Sequence, residues 1–211
     1  MSFSTNQNIV LQNGHALIQN ETSTRGARKV DYPRLLELGR ELLLAIGEDP
    51  NREGLRKTPR RWADAWREFI EYQPGHTETT FAATTVDQLV CVSGIRIWSC
   101  CEHHLIPFSC DVAIGYIARG HVLGLSKFAR IAHQFAHRLQ IQEQLGQQIA
   151  NEVSRITETE DVAVILRGRH LCMEARGIQT SGIMTSSIMH GIFHQQYERR
   201  MEFLRAIEES Y

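Results

Sequence analysis

The chain has 211 residues, of which 42% are hydrophobic and 22% are charged, as is typical of a globular protein with one folded core. Its 23 basic and 24 acidic residues give a formal net charge of -1, which excludes a global attraction to nucleic acid or to an anionic membrane. No apolar run reaches the roughly 18 residues of a membrane-spanning helix, and the segment MSFSTNQNIVLQNGHALIQN lacks the pattern of a secretory signal, so we expect a cytoplasmic protein.

The N-terminal segment differs in composition from the rest of the chain. Residues 1–29 are rich in Asn, Gln, Ser and Thr and show almost no apolar periodicity. Such a segment cannot bury enough apolar surface to offset its ordering entropy, so we predict a mobile polar tail. The remaining residues, 30–211, are predicted to form one domain, with a helical region at 30–75 and a core at 84–211.

Two amphipathic helices are predicted in the helical region. The first ends near Gly47 and carries apolar residues at spacings of three and four; these are Leu35, Leu38, Leu42 and Ile46. The second begins with Thr58 as N-cap and Pro59 at the first helical position. Its apolar stripe is more typical of a core than of a binding surface; the stripe consists of Trp62, Ala65, Trp66 and Phe69.

Strand patterns begin after Thr84. The segments VDQLVCV, IRIWSCC, CDVAIGYIA and VLGL indicate antiparallel strands with tight connections. Ser126 is predicted to cap a helix that includes Phe135, and a second helix is predicted from about Gln142 to about Arg155. DVAVILRGRHLC and GIMTSSIMHGIF indicate another strand pair, and YERRMEFLRAI a last helix. This order predicts an α+β fold whose antiparallel sheet has two consecutive helices between strand pairs.

A metal site is indicated by two short motifs. CEHH places the Cys101 thiolate and the His104 imidazole three residues apart, so that one turn can present both to a single ion. His170 and Cys172 end a predicted strand, where alternate side chains share a face. We predict Zn²⁺ on Cys101, His104 and Cys172, with the fourth position open as in catalytic sites. The spacing also allows a closed structural site with His103 or His170 as the fourth ligand.

The other cysteines and histidines are predicted to lie outside this site. The odd cysteine count does not suit a complete disulfide framework. Three cysteines are expected to be buried small apolar side chains; these are Cys91, Cys100 and Cys110. The lone histidines have no companion at ligand spacing; they are His15, His76, His121, His133, His137, His190 and His194.

His103 and His170 are the candidate general acids and bases. Each lies beside or two residues from a predicted metal ligand, and imidazole titrates in the range that proton transfer at neutral pH requires. A zinc-bound water has a pKa of about 7 and can attack an electrophilic carbon, which calls for proton donors and acceptors nearby.

Two polar helix starts are candidate binding sites. Ser126, Lys127 and Arg130 could cradle a polyphosphate, because helical N–H groups also attract anions; a solvated basic helix start is the alternative. Gln142 and Glu143 could bind the donor and acceptor edge of a purine, and an ordinary polar helix start accounts for them equally well.

Five segments in order resemble the GTP cyclohydrolase I family from about Asp31 to Ile207: GEDPNREGLRKTPRR, SCCEHHLIPF, GYIARGHVLGLSKFARI, RLQIQEQL and HLCMEARGI. The combination of CEHH, LSKFAR and QIQE is more specific than any single motif. The resemblance implies the tunnelling fold and a homodecamer of two stacked pentamers with active sites between subunits. The chain departs from the family after Arg176, where it is about one residue shorter, and at His137, where the family often has Arg.

The resemblance also implies a reaction and roles for side chains. Zinc-activated water would open the imidazole ring of GTP at C8 while His103 and His170 transfer protons, and formate would leave. Rearrangement and ring closure would give 7,8-dihydroneopterin triphosphate, a step of pterin biosynthesis. Glu143 and Gln142 would hold the guanine edge, and five residues would meet the triphosphate and ribose; these are Arg61, Ser126, Lys127, Arg130 and Arg176. The alternatives are a purine-binding module with structural zinc and another pterin or deazapurine enzyme of this fold.

Overall fold

The computed structural model describes residues 9–12, 15–18, 28–84 and 86–208 of the chain. Part of the predicted tail forms two short antiparallel strands that its polar composition does not predict: β1 (Ile9–Gln12) and β2 (His15–Ile18). Most other tail residues lie outside the described ranges. The mobility of the tail and the domain boundary at residue 30 therefore stay predictions.

Two helices form a hairpin before the sheet: α1 (Tyr32–Ala45) and α2 (Thr58–Ile70). The Asp31 carboxylate caps α1 by accepting the backbone N–H of Arg34 at 3.1 Å. Lys57, rather than the predicted Thr58, is the N-cap of α2, and no side chain caps that helix. Both helices are thus confirmed, and the start of the second is shifted by one residue.

The hairpin packs through small residues. Gly39 and Leu43 of α1 are buried, as is Ala63 of α2. A Cβ at Gly39 would lie 3.1 Å from Pro59 Cα, which is a tight contact, so the lack of a side chain at this position favours the close approach of the two helices. The apolar stripe that predicts α1 is therefore not its buried face within the single chain. Three residues of that stripe are at least 40% exposed; they are Leu38, Leu42 and Ile46.

Aromatic contacts continue from α2 toward the rest of the chain. Trp66 lies between Trp62 and Phe69, with edge-to-face ring centroid distances of 6.2 and 6.1 Å. The Phe69 ring lies 5.4 Å from the His137 ring. Ala65 is exposed, unlike the other residues of the predicted stripe. The stripe therefore serves packing, as predicted, through its aromatic members.

A long bulged hairpin forms the centre of the main sheet. Four strands occur in this part of the chain: β3 (Thr80–Ala82), β4 (Gln88–Cys101), β5 (Pro107–Ala118) and β6 (His121–Leu123). The hairpin consists of β4 and β5, whereas β3 and β6 pair with each other in a separate two-stranded sheet. VDQLVCV and IRIWSCC were predicted as successive strands, but VDQLVCV, from its third residue onward, and IRIWSCC both belong to the single strand β4, whose register shifts between Val92 and Ile95. Gly94 has a φ of 70° in this bulge, which lets the strand bend without ending.

The second half of the chain supplies the remaining helices and strands. They are α3 (Leu125–Ala136), β7 (Leu139–Gln140), α4 (Gln142–Thr157), β8 (Val162–His170), α5 (Leu171–Glu174), β9 (Met184–Met189), α6 (Ile192–Gln195) and α7 (Tyr197–Glu208). Gly124, not the predicted Ser126, is the N-cap of α3. The two predicted helices between strand pairs are present as α3 and α4, and the two-residue strand β7, which was not predicted, lies between them.

The main sheet has the strand order β7-β4-β5-β8-β9 and is antiparallel except at the two-residue β4–β7 pair. Alternate residues of β8 lie on opposite faces. The sheet has a hydrophobic cluster on each face. Val164 belongs to the cluster that contains Phe128 and Ile149, and Ile165 belongs to the cluster that contains Phe203. Burial of both faces accounts for the uninterrupted apolar run of this strand. The α+β class with an antiparallel sheet is confirmed.

Among the described residues, no helix has the length and apolar character that crossing a membrane would require.

Candidate active site

Three predicted metal ligands meet at one edge of the main sheet. The ligand atoms of Cys101, His104 and Cys172 all lie within 4.8 Å of one another, and Cys101 Sγ is 3.8 Å from His104 Nδ1. Within the part of the chain that the structure describes, no other three His, Cys, Asp or Glu residues form such a group. The cluster predicted from sequence is therefore present in the fold.

Sheet register explains why these residues meet. Both β4 and β8 pair with β5, and Pro107 and Phe108 at the start of β5 lie opposite Cys100 and His170. The C-terminal ends of β4 and β8 thus lie on either side of the start of β5, at the same edge of the sheet. The predicted strand position of Cys172 is wrong, because β8 ends at His170 and Cys172 lies in the short helix α5.

The turn after β4 is fixed by its own backbone. The Leu105 N–H donates to the Cys101 carbonyl at 2.8 Å, and the Cys101 N–H donates to the Ile106 carbonyl at 2.9 Å. Leu105 has a φ of 56°, which closes the turn. Cys101 remains buried while His103 and His104 are exposed on the turn. One buried thiol and two accessible imidazoles are therefore presented at the same edge.

The chemistry of the donor set suits a zinc ion. Two thiols and an imidazole form a soft N and S set, and three protein ligands leave a tetrahedral position open. Burial and the adjacent Cys101 thiol raise the pKa of Cys172, while the charge of Arg176 opposes this shift. A divalent cation between the two sulfurs would favour both thiolates.

His170 stands at the end of β8 beside this cluster. Its ring stacks on Phe108, with the centroids 4.6 Å apart and the planes at 10°. Its Nε2 lies 3.0 Å from Gln142 Oε1. Burial lowers the pKa of His170, and the charges of Glu143 and Glu174 oppose that shift. The imidazole is therefore biased toward its neutral form.

The Gln142 side chain lies inside the protein rather than at the surface. Only 1% of the residue is exposed, and the amide nitrogen lies 2.9 to 3.2 Å from the Met184 carbonyl, the Ser186 hydroxyl and the Leu166 carbonyl. The amide oxygen must therefore face His170, and His170 Nε2 must donate to it. A Cβ at Gly168 would overlap with this oxygen, so the glycine is needed for the contact.

The other predicted binding residues occupy three places. Glu143 is exposed in the first turn of α4, close enough to His170 for its charge to act on that imidazole. Arg176 is exposed just after α5. Lys127 donates a hydrogen bond to the His76 carbonyl, and Arg130 donates one to the Pro74 carbonyl. Ser126 beside them is exposed. Arg61 is exposed on α2, where its backbone N–H donates to the Lys57 carbonyl.

Two features of the site were missed by sequence reasoning. The hydrogen bond from His170 to Gln142 joins residues that are 28 positions apart, and the bonds of Lys127 and Arg130 to residues 74–76 span 51 and 56 positions. No local spacing signals such contacts. The only sequence signals of these contacts are two glycines, which leave room for an approaching side chain. Arg130 approaches Gly75, and Gln142 approaches Gly168.

Fold and site together define an α+β protein with a candidate transition-metal centre flanked by acid–base side chains. The family model described as GTP cyclohydrolase I matches residues 37–208. The chain therefore belongs to the GTP cyclohydrolase I family, which confirms the resemblance found in the sequence. Membership also assigns its antiparallel sheet and two central helices to the tunnelling fold.

Similar proteins agree with this assignment. GTP cyclohydrolase 1 of Hyperthermus butylicus is 44% identical over 85% of this chain and 92% of its own length. GTP cyclohydrolase 1 of Deinococcus radiodurans is 42% identical over 88% of this chain and 89% of its own length. Among solved structures, the archaeosine synthase QueF-Like in the apo form has a TM-score of 0.36 and 20% identity, over 47% of this chain and 91% of that chain. That likeness is too distant to add to the family assignment.

Proposed function

We propose that this protein is a zinc-dependent GTP cyclohydrolase I, which opens the imidazole ring of GTP at C8, releases formate and forms 7,8-dihydroneopterin triphosphate. The observation that carries the proposal is the cluster of Cys101, His104 and Cys172, whose ligand atoms lie within 4.8 Å of one another beside His170. Family membership over residues 37–208 supports the same activity.

Cys101, His104 and Cys172 would hold the ion. Zinc bound there would supply Lewis acidity, which lowers the pKa of the water it binds toward neutrality. The three ligands come from β4, the turn after it and α5.

His170 accepts and returns a proton at Nδ1. Its Nε2 hydrogen is held by Gln142 Oε1 at 3.0 Å, so the lone pair of the neutral ring lies on Nδ1. Stacking on Phe108 fixes the plane of the ring. His103, on the exposed turn with its Nδ1 4.0 Å from Cys101 Sγ, exchanges protons on the solvent side. The two imidazoles thus divide proton transfer between a half-buried and an exposed position.

Glu143 recognises guanine in this proposal. A carboxylate accepts hydrogen bonds from N1–H and from the exocyclic amine of guanine, which adenine does not offer in that arrangement. Glu143 is exposed and near His170, which suits a ligand placed over the metal cluster. Because the amide of Gln142 is used inside the protein, Gln142 contributes to the purine edge through its main chain.

The triphosphate is met by basic side chains, of which one comes from a neighbouring subunit. The cations and the hydroxyl assigned to this role are Ser126, Lys127, Arg130, Arg176 and Arg61. Arg61 lies on the helix hairpin, whose exposed apolar stripe of Leu38, Leu42 and Ile46 favours contact with another copy of the chain. The proposal therefore includes an oligomer with active sites shared between subunits, which the family resemblance makes a homodecamer. The protein is proposed to act in the cytoplasm.

Formate release from GTP tests the proposed function. The zinc-replete protein, incubated with GTP, should release one formate per triphosphate product, measured with formate dehydrogenase, and should leave ATP unchanged. Binding of GTP without formate release would contradict the enzyme and would favour a purine-binding module with structural zinc. Conversion of a different purine or pterin would favour another enzyme of the same fold.

A further inference from the structure

The segment between α2 and β3 contacts both cations of the predicted phosphate cradle. We call residues 71–79 the connector. Lys127 Nζ donates to the His76 carbonyl at 2.7 Å, and Arg130 Nη1 donates to the Pro74 carbonyl at 2.6 Å. The two side chains, three residues apart on α3, are thus held by the same short stretch of backbone.

The connector is anchored at both ends against α3 and its neighbours. At one end, the Tyr72 ring stacks on the His137 ring with centroids 3.7 Å apart and planes at 12°. At the other, the Gly124 N–H donates to the Thr79 carbonyl at 3.0 Å, and Arg155 forms an ion pair with Glu78 at 2.6 Å. The carbonyls of residues 74 and 76 therefore have a defined position relative to α3.

Gly75 makes the contact with Arg130 possible in two ways. It has a φ of 73°, a backbone conformation that residues with a side chain rarely adopt, and it lies between the two residues whose carbonyls accept from Lys127 and Arg130. A Cβ at this position would also overlap with Arg130 Nη1. No other residue type can combine this backbone conformation with the present position of the guanidinium.

We propose that the connector is a positioning element for the triphosphate of the substrate, through the carbonyls of Pro74 and His76. The inference rests on the proposed function, in which Lys127 and Arg130 meet the triphosphate. An ammonium group has three N–H donors and a guanidinium has five, so one bond to a carbonyl orients each cation and leaves it able to bind phosphate oxygens. Pre-orientation lowers the entropy lost when a flexible cation is immobilised by its ligand.

The test uses Gly75→Ala with Gly47→Ala as a matched control. Gly47 has a φ of 84° and open space around it, so its substitution imposes similar backbone strain without a collision. Four quantities are measured on the zinc-replete protein: kcat and KM for GTP, the inhibition constant of inorganic tripolyphosphate, and the inhibition constant of guanosine. Inhibition by tripolyphosphate measures binding to the phosphate cradle alone, and inhibition by guanosine measures binding to the remainder of the site.

We expect Gly75→Ala to raise KM for GTP and the inhibition constant of tripolyphosphate about tenfold, the effect of weakening one charge-assisted hydrogen bond. The kcat and the guanosine constant should stay within about twofold, and Gly47→Ala should resemble the wild type. Gly75→Asn, which tolerates a positive φ but also carries a Cβ, should repeat the result if the alanine variant folds poorly.

Unchanged tripolyphosphate inhibition in both Gly75 variants would overturn the positioning role, as would an equal loss of guanosine binding. Failure of the proposed function is separate, because wild-type protein would then release no formate from GTP in the same assay.

Discussion

The Gln142 amide oxygen lies 3.0 Å from Nε2 of His170, and the buried amide that carries it determines which imidazole nitrogen holds the proton. The amide nitrogen faces three acceptors, so the amide cannot rotate to present its nitrogen to the imidazole without losing them. A residue that the family resemblance assigns to substrate is therefore also a support for His170, the proposed general base.

This relationship predicts a catalytic effect without metal loss. Gln142→Met removes the acceptor for His170 and leaves buried acceptors unpaired, at a cost of about 1 to 3 kcal/mol in the free energy of unfolding. We expect kcat to fall by about tenfold or more, while zinc content stays at the wild-type value. Gln142→Glu, which keeps an acceptor for His170, should retain more of kcat than Gln142→Met. An equal loss in both variants would contradict the role in fixing the tautomer.

His103 is expected to transfer protons rather than bind metal. Its Nδ1 lies 4.0 Å from Cys101 Sγ, but the cluster of close ligand atoms includes His104 instead. His103→Ala should keep zinc, measured by elemental analysis, while turnover falls by about 100-fold or more, the usual effect of losing a general acid or base. Loss of zinc together with activity would mean that the two histidines have exchanged roles.

The contact between the helix hairpin and α3 should weaken in acid. Burial lowers the pKa of His137 below its ordinary 6.5, against the opposing effects of the His133 carbonyl and Glu68, and burial also lowers the pKa of His133. Below pH 6.5 the unfolded chain binds protons that the folded chain does not, so stability is full above 6.5 and falls as the pH drops toward the folded values. Melting temperature should therefore decline from pH 7 to pH 5.

A matched pair of variants isolates that contribution. His137→Gln should show a shallower decline of melting temperature with acidification, whereas His121→Gln, at an exposed position, should follow the wild type. Identical slopes for all three proteins would show that the stacked His137 and Tyr72 rings do not control the acid response.

Shared active sites predict complementation between inactive chains. Arg61→Ala and Cys172→Ser should each be nearly inactive alone, because one lacks a triphosphate contact and the other a zinc ligand. Unfolded together and reassembled, they should regain activity, since roughly a quarter of sites at a heterologous interface combine two intact contributions. Mixed oligomers, confirmed by differential tagging, that stay inactive would place Arg61 and Cys172 in one chain's site.

Local patterns in the sequence predicted much of this architecture. The three-residue spacing in CEHH predicted that Cys101 and His104 could share an ion, since one turn fixes their separation. Cys172 lies close to Cys101 and His104 although its local structure is helical, because the ends of β4 and β8 flank the start of β5 at the same edge of the sheet. Spacing rules succeed where the backbone between two residues is short.

Other features depend on tertiary packing and left no pattern in the sequence. The buried face of α1 follows from the close approach at Gly39, which the apolar stripe does not report. The position of Gln142 depends on α4 beginning against β8 at Gly168. The roles of Lys127 and Arg130 depend on a connector more than 50 residues earlier, where the Pro74 and His76 carbonyls accept from them.

Zinc titration of the metal-depleted protein tests the central claim most directly. Formate release from GTP should rise linearly with added Zn²⁺ and saturate at about one ion per chain, as expected for a single set of N and S ligands. Cys172→Ser should bind little zinc and stay inactive, whereas Cys110→Ser, whose thiol lies outside the cluster, should follow the wild type. Full zinc occupancy in Cys172→Ser, or formate release without any metal, would contradict the assignment.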